Sequence, residues 1–237
     1  MINYSSIKKL LVSEKEFLFG EKFKETDDVI LGRAVHCAIL EPEKLKEKFQ
    51  FIDLDMRKTD HKNLAKKFEE KNITVLKHKN FAIIENIIKN LDTSKLFKTL
   101  ISYPDKTVEK KLHGVIDGVE FYGTPDFVCE NLILDIKTTQ DCSFNDFKWT
   151  VKNYHYDLQA AIYQQLVFLN TGKTLPFVIL AIDKKTPFHF NFFKLTDETL
   201  MFGQQKLNKC IELYKNLQAK NFENPNGYEF ENCIGEI

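Results

Sequence analysis

Two carboxylates and one amine lie close together in residues 123–137. Asp126 is expected near the middle of one strand, and Asp135 and Lys137 at the end of the next. Side chains alternate between the faces of a strand, so Asp135 and Lys137 should share one face. A tight turn at Glu130-Asn131 would bring Asp126 alongside. The pattern therefore predicts that the two carboxylates and the ammonium converge.

Such a group of side chains has the composition of a divalent-cation site. Carboxylate oxygens, with several positions left for water and phosphate, suit Mg²⁺, which could polarise a scissile phosphate and acidify a bound water. A lysine beside that water could orient it or stabilise negative charge. The alternative is an ordinary strand pair whose polar residues face water or form one ion pair. The apolar run 132–134 favours partial burial of Asp135 and Lys137, and burial of charges without a purpose is costly.

Helical patterns dominate the first hundred residues. Ser5 or Ser6 can cap a helix that ends at about Gly20, and Asp27-Asp28 can cap a second helix that ends near Leu40. Further helices are expected at about 42–48, 60–71 and 78–91.

From Thr107 onward the sequence has short β-type runs followed by alternating helices and strands. We predict strands at 107–115, 119–129, 132–137, 177–183 and 188–195, with a hairpin turn at Asp117-Gly118, and helices at about 144–152, 156–170 and 196–219. This order predicts an α/β fold with a mixed central β-sheet flanked by helices. We expect a single domain over 1–237, with a mainly helical part at 1–100, a core at 105–195 and a C-terminal helix at 196–220.

The composition is that of a globular protein without disulfides. Hydrophobic residues make up 43% and charged residues 29% of the chain, and no stretch approaches the ~18 apolar residues that a membrane span needs. The N-terminus lacks the pattern of a secretory signal, so a cytoplasmic location is expected. We predict reduced thiols and no zinc or iron–sulfur site, because no C-x-x-C pair occurs. The cysteines are Cys37, Cys129, Cys142, Cys210 and Cys233.

The charge balance bears on how nucleic acid could be bound. Thirty-four basic and 34 acidic residues cancel, which argues against a protein that coats nucleic acid by charge alone but permits a local basic groove. Arg33 and Arg57 are the two arginines, so phosphate contact would depend mainly on lysines.

Three motifs give the sequence its resemblance to a known superfamily. Pro125-Asp126 followed by Asp135-Ile136-Lys137 is the PD-(D/E)XK signature. Gly32-x-x-x-His36 and Gln159-x-x-x-Tyr163 are similar to two further motifs of the RecB-like branch, in that branch's order. Within the branch, Tyr4-Ser5-Ser6 and residues 31–42 and 55–59 resemble the RecE, or exonuclease VIII, nuclease domain. The resemblance covers nearly the whole chain and implies a restriction-endonuclease-like core.

The resemblance implies a role for each residue of the metal site. Asp126 and Asp135 would ligate the cation by their carboxylates, Ile136 by its backbone carbonyl and His36 by an imidazole nitrogen. Lys137 would position or activate the attacking water. Mg²⁺ is the expected cofactor, with Mn²⁺ able to substitute. A lone histidine in an apolar helix can also be a satisfied core residue, but a glycine four residues earlier permits close helix approach and favours the ligand.

Four more residues are candidates for catalysis or DNA contact. By resemblance, Gln159 and Tyr163, which share a helical face, would support the lysine and contact the DNA backbone, although they could also be a polar edge and a packed ring. Glu109, in the strand before the hairpin, would match a further acidic residue of the branch. Arg33 could pair with Glu41 or reach a phosphate, and the sequence does not decide.

The implied function is metal-dependent hydrolysis of DNA. RecE-like enzymes degrade linear double-stranded DNA from the 5′ end without ATP, act in recombination or repair with a RecT-like single-strand annealing protein, and form homo-oligomeric rings. The resemblance implies the same here, in a bacterial cell and in a phage or prophage setting. The alternatives are a single-strand-specific or structure-specific RecB-like nuclease, and a non-catalytic scaffold that binds DNA ends.

Overall fold

The computed structural model describes residues 1–21 and 24–228 of the chain. The helices in these ranges are α1 Tyr4–Ile7, α2 Glu14–Phe19, α3 Asp27–Leu40, α4 Leu45–Lys48, α5 Thr59–Glu70, α6 His78–Leu91, α7 Lys95–Ile101, α8 Phe144–Asn153, α9 Tyr156–Thr171 and α10 Asp197–Ala219. The strands are β1 Phe49–Phe51, β2 Thr74–Leu76, β3 Thr107–Val108, β4 Leu112–Ile116, β5 Val119–Gly123, β6 Phe127–Val128, β7 Ile133–Thr139, β8 Phe177–Asp183 and β9 Phe190–Lys194.

The central sheet has five strands in the order β3-β6-β7-β8-β9. β7 and β8 pair in parallel and the other neighbours pair antiparallel, so the predicted mixed sheet is confirmed. The helices α8 and α9 form the connection between the two parallel strands, which is the usual way to join parallel neighbours. Two further pairs lie outside this sheet: the β4–β5 hairpin and the parallel pair of β1 and β2.

The sheet separates two hydrophobic cores. Residues of α8, α9, α10 and the β4–β5 hairpin pack in the core on one face, while residues of α3, α6 and α7 pack in the core on the other. Successive residues of β7 alternate between them: Ile133 belongs to the first core, and Leu134 and Ile136 to the second. The predicted arrangement of a sheet flanked by helices is therefore confirmed.

Three of the predicted elements are interrupted in the structure: the first helix and the strands 107–115 and 119–129. The helix expected from Ser5 or Ser6 to Gly20 is broken, because Asn3 caps α1 and Ser13 starts α2 by accepting the Glu16 N–H at 2.9 Å. The runs 107–115 and 119–129 each split into two strands. Glu109 has a φ of 48° where the first run breaks, and Pro125 has no N–H to continue a ladder in the second.

Four cysteines are buried free thiols, as the sequence predicts: Cys37, Cys129, Cys142 and Cys210. Cys233 lies outside the described residues. Within those residues, no helix combines the length and apolar character of a membrane span.

The contact of α10 with the start of α9 depends on Gly203. A Cβ at this position would lie 2.1 Å from the Asp157 carbonyl oxygen, and backbone cannot yield as a flexible side chain can. We expect Gly203→Ala to destabilise the fold by about 3 kcal/mol, lowering the Tm by roughly 6 to 12 °C. Thermal unfolding of this variant beside Glu212→Ala, an exposed position on the same helix, measures the effect. Equal Tm values would contradict this account of the helix contact.

Candidate active site

Backbone pairing places Asp126 beside the end of β7. Asp126 directly precedes β6, whose residue Phe127 pairs with Leu134, so it lies at the start of that strand and not in the middle of a longer one. Its side chain is buried, with 7% of the residue exposed, and Oδ2 accepts the Ile136 N–H at 2.6 Å. A backbone amide in the next strand thus fixes the orientation of this carboxylate.

Asp135 and Lys137 lie on the same face of β7, as the alternation predicts. The Lys137 ammonium forms an ion pair with Asp135 Oδ2, while the other oxygen, Oδ1, accepts the Gln159 Nε2–H at 3.0 Å. Asp135 is 1% exposed. Ile136, between the two, is buried in the core on the opposite face of the sheet. The sheet and helix α9 therefore hold Asp135 from both sides.

His36, Glu109 and Asp126 form a compact group of possible metal ligands. One ligand atom from each lies within 4.8 Å of the others, and His36 Nδ1 is 3.4 Å from Asp126 Oδ2. α3 can approach β7 because a Cβ at Gly32 would already be 3.0 Å from Thr138 Oγ1. The sequence-based interpretation of this glycine therefore agrees with the structure.

The sequence did not show how Glu109 is positioned beside His36 and Asp126. Glu109 follows the two-residue strand β3 and is not inside a strand, and its N–H donates to the Asp126 backbone oxygen at 3.1 Å. Its positive φ of 48° ends the pairing and turns the chain at this point. The two acidic residues are thereby placed side by side.

Burial and neighbouring charges shift the pKa values of these residues. Burial and the neighbouring Asp126 raise the pKa of Glu109 to about 7, and burial raises the pKa of Asp135 to about 6 despite the Lys137 ammonium. Burial disfavours charge on Asp126 and His36 too, but their mutual attraction outweighs it, lowering the pKa of Asp126 and raising that of His36. Burial likewise opposes the Lys137 ammonium, but Asp135 outweighs it and raises the pKa of the lysine.

Tyr156 is a neighbour of the lysine that sequence reasoning missed. The Lys137 Nζ lies 4.7 Å from the centroid of its ring, a distance at which a cation is attracted to the ring face. Tyr156 precedes Gln159 by three residues and so lies on the same helical face. This spacing was the signal that could have identified it.

The contacts of three further candidate residues differ from the predicted ones; these residues are Gln159, Tyr163 and Arg33. Gln159 is buried and contacts Asp135 and not the lysine. The Tyr163 ring packs where a Cβ on Gly123 would lie, 2.7 Å from Cε1, and burial raises its pKa to about 12. Arg33 pairs with Glu25, so the pairing with Glu41 was wrong: that carboxylate binds two lysines of the following turns.

The side chains open onto a cleft of about 1020 Å³. Its walls include His36, Glu109 and Lys137 together with the cations Arg33 and Lys184. A cavity of this size, with a few convergent polar groups at its base, has the properties of a ligand site. Asp126 and Asp135 lie directly behind these residues.

The donor set fits a divalent cation. Carboxylate oxygens and one imidazole nitrogen are ligands that first-row transition-metal and alkaline-earth divalent ions accept. A cation would favour the ionised forms of Glu109 and Asp135, whose pKa values burial and, to a smaller extent, the neighbouring Asp126 raise. His36, Glu109 and Asp126 would hold it, with Asp135 close behind. The structure thus supports a divalent metal site of acidic residues and histidine.

Metal binding can be measured through stability. A ligand at about 100 times its Kd stabilises a protein by roughly 2.7 kcal/mol, so we expect saturating Mn²⁺ or Mg²⁺ to raise the Tm by about 5 °C and EDTA to reverse the shift. His36→Gln should reduce the shift by more than half. His113→Gln, at an exposed histidine of β4, is the matched control. A shift that His36→Gln leaves intact would place the cation elsewhere.

Comparison with known proteins agrees with this geometry. The family model described as "PDDEXK-like domain of unknown function (DUF3799)" matches residues 3–234. A solved structure from Eubacterium rectale, described as a "putative exonuclease", matches at a TM-score of 0.67 and 18% identity over 99% of this chain and 89% of that one. A second, SSO0001, matches at a TM-score of 0.31 and 16% identity over 88% and 85% of the chains, which is too low to support an argument.

Among curated proteins, none was found to match the sequence. The first solved structure shares the fold, since an identity of 18% supports no more than that. The family match covers almost the whole chain, and it supports a nuclease as the class of activity. Because this family model spans residues 3–234, the chain belongs to the PDDEXK-like family DUF3799 of the PD-(D/E)XK superfamily.

Proposed function

We propose that this chain is a Mg²⁺-dependent exodeoxyribonuclease that hydrolyses linear double-stranded DNA. The observation that carries the proposal is the clustering of Asp126 and Asp135 with Lys137 at the end of β7, behind a cleft that Lys137, His36 and Glu109 line. A non-catalytic scaffold has no need of buried carboxylates facing an anionic backbone, because they would repel it.

The residues of this chain have distinct parts in the proposed reaction. A bound cation would neutralise charge on the scissile phosphate and lower the pKa of a water. The Lys137 ammonium, held by Asp135 and the Tyr156 ring, would donate to the attacking water or to a phosphate oxygen. The neighbouring Asp135 raises the pKa of this lysine despite its burial, which favours the protonated form and therefore a role in positioning the water. Gln159 is a positioning residue that holds Asp135.

The walls of the cleft are suited to a nucleic-acid backbone. Arg33, Lys48 and Lys184 line it, although each is paired with a carboxylate: Glu25, Glu41 and Asp28 respectively. Each pair has one partner that is largely exposed, so phosphate groups could compete for these cations, and ion pairs at a surface contribute little to stability. We expect log Kd for DNA to depend strongly on log salt concentration.

The finer terms of the proposal come from the resemblance to RecE-like nuclease domains. They are 5′→3′ polarity, independence of ATP, a role in recombination or repair, a RecT-like annealing partner and a homo-oligomeric ring. The solved protein of similar fold is itself described as a "putative exonuclease". The runner-up is a RecB-like nuclease specific for single strands or for a DNA structure.

One digestion experiment tests the activity and its specificity. Purified protein is incubated with linear duplex labelled at the 5′ or 3′ end, with nicked circular duplex and with single strands, in Mg²⁺ or EDTA. We expect early release of the 5′ label from the linear duplex, intact circles, and no reaction in EDTA. Preferential loss of the single strand would favour the runner-up. DNA binding without cleavage in Mg²⁺ or Mn²⁺ would overturn the enzyme proposal in favour of a scaffold.

A further inference from the structure

A second concave surface lies between α8, β9 and α10. We call it the α8–α10 groove. It has a volume of about 730 Å³, enough for a few large side chains. Its apolar lining consists of Phe144, Phe147, Val151, Phe193, Leu195 and Phe202.

The rim of this groove is basic although the chain as a whole is neutral. Five lysines line it: Lys148, Lys152, Lys194, Lys206 and Lys209. Asp157 is the one acidic residue of the lining, and its Oδ2 forms an ion pair with Lys206 Nζ at 2.6 Å. Among the residues that the structure describes, no carboxylate forms an ion pair with any of the other four lysines. The groove therefore has a local charge excess that the composition does not reveal.

Large aromatic side chains at this surface remain in water. Phe144 is 68% exposed and Phe202 47% exposed. Trp149, on the same helix as Phe144, is 54% exposed, and its ring is 5.8 Å from Lys148 Nζ and 5.3 Å from Lys152 Nζ. Contiguous exposed apolar surface with a charged rim is typical of a protein interaction site.

We propose that the α8–α10 groove binds an acidic peptide segment of a partner protein that carries at least one large apolar side chain. The apolar side chain would occupy the groove, and the carboxylates would pair with the four lysines that lack an ion pair. Charge complementarity of this kind speeds association and selects the partner.

Nucleic acid fits the interior of the groove less well than a peptide does. Single strands are bound by stacking bases on open aromatic faces, whereas Phe147 and Phe193 stack on each other at 5.2 Å and 14°. Phe147 is also 1% exposed. A sugar–phosphate backbone would gain nothing from the apolar lining, but an apolar side chain would be desolvated there.

The groove is separate from the catalytic cleft. α8 lies between them: its Thr150 and the following Tyr154 line the cleft, while Phe147 and Val151 line the groove. A peptide in the groove would therefore leave the cleft open, and the inference does not depend on the proposed nuclease activity.

The single tryptophan of the chain gives a direct readout. Trp149 fluorescence is followed while three matched decapeptides are added: one with acidic residues and Leu or Phe, one with Ser at the apolar positions, and one with Lys at the acidic positions. The first should bind with a Kd on the order of 10 μM. The other two should bind at least about tenfold more weakly.

Surface variants locate the binding. Lys148→Glu combined with Lys209→Glu should weaken binding of the acidic peptide by about tenfold or more, and Phe202→Ser should do the same through lost apolar contact. The matched control is Lys66→Glu combined with Lys67→Glu, on the exposed face of α5, which should bind as wild type does. All variants should keep the wild-type Tm and, if the chain is a nuclease, the wild-type cleavage rate.

Four outcomes would overturn the proposal. The first is no saturable change with the acidic peptide up to about 1 mM. The second is binding that the groove variants leave intact. The third is a stronger Trp149 response to a single-stranded or duplex oligonucleotide, with cleavage lost in the lysine variants, which would make the groove a DNA path. The fourth is self-association in sedimentation that the same variants abolish, which would make its occupant a second copy of this chain.

Discussion

Lys137→Met is expected to reduce cleavage of linear duplex DNA on the order of 10³-fold while DNA binding remains within a few-fold of wild type. The ammonium lies at the base of the cleft, paired with Asp135 and held over the Tyr156 ring. Methionine preserves the apolar stem and removes the charge. If the ammonium stabilises negative charge that develops on the phosphate only in the transition state, its loss lowers the cleavage rate far more than it weakens DNA binding. Single-turnover digestion and a filter-binding isotherm separate the two.

The same substitution has a cost in stability that must be measured separately. Removing one partner of a buried ion pair typically costs about 3–5 kcal/mol, but Asp135 can take up a proton because burial already raises its pKa to about 6. Adding Asp135→Asn to Lys137→Met should therefore recover most of the lost Tm without recovering activity. Lys66→Met, on the surface, is the control. Cleavage by Lys137→Met within about tenfold of wild type would refute the role given to the ammonium.

The parts of the site that the sequence predicts are those set by local periodicity. Asp135 and Lys137 share a face because residues two apart in a strand must do so. His36 reaches the cleft because Gly32 precedes it by one helical turn and permits contact with β7. The elements after residue 140 lie close to their predicted bounds for the same reason, since α8 to α10 have helical patterns and the strands β8 and β9 separate α9 from α10.

The parts that the sequence does not predict depend on contacts between distant segments. β1 pairs with β2, and the first pair in the register, Phe49 with Thr74, joins residues 25 positions apart in the sequence. Glu109 joins the site because β3 pairs with β6, the strand that follows Asp126, and not with β4, the next strand in the sequence. The groove between α8 and α10 requires two helices to pack on one sheet, and no local pattern specifies which lysines then share a rim.

Asp126→Asn is expected to abolish the effect of divalent cations on stability and to reduce cleavage on the order of 10³-fold. Asparagine keeps the shape of aspartate, and its Oδ1 can still accept the Ile136 N–H, so the turn before β6 should persist. What is lost is the charge that faces His36 and would hold the cation. The Tm in EDTA should fall only slightly, because burial favours the neutral form of His36 once its partner carboxylate is gone. Asp105→Asn, at an exposed position, is the control.

The dependence of the rate on Mg²⁺ concentration decides which carboxylates hold the cation. Glu109 lies in the compact group with His36 and Asp126, whereas Asp135 is occupied by Lys137 and Gln159. Glu109→Gln should therefore raise the Mg²⁺ concentration for half-maximal rate by about tenfold, with rescue at high Mn²⁺, while Glu130→Gln changes nothing. If Glu109→Gln has no effect and Asp135→Asn produces the shift, the ligands are Asp126 and Asp135. Lys137 would then have to release Asp135 when the cation binds.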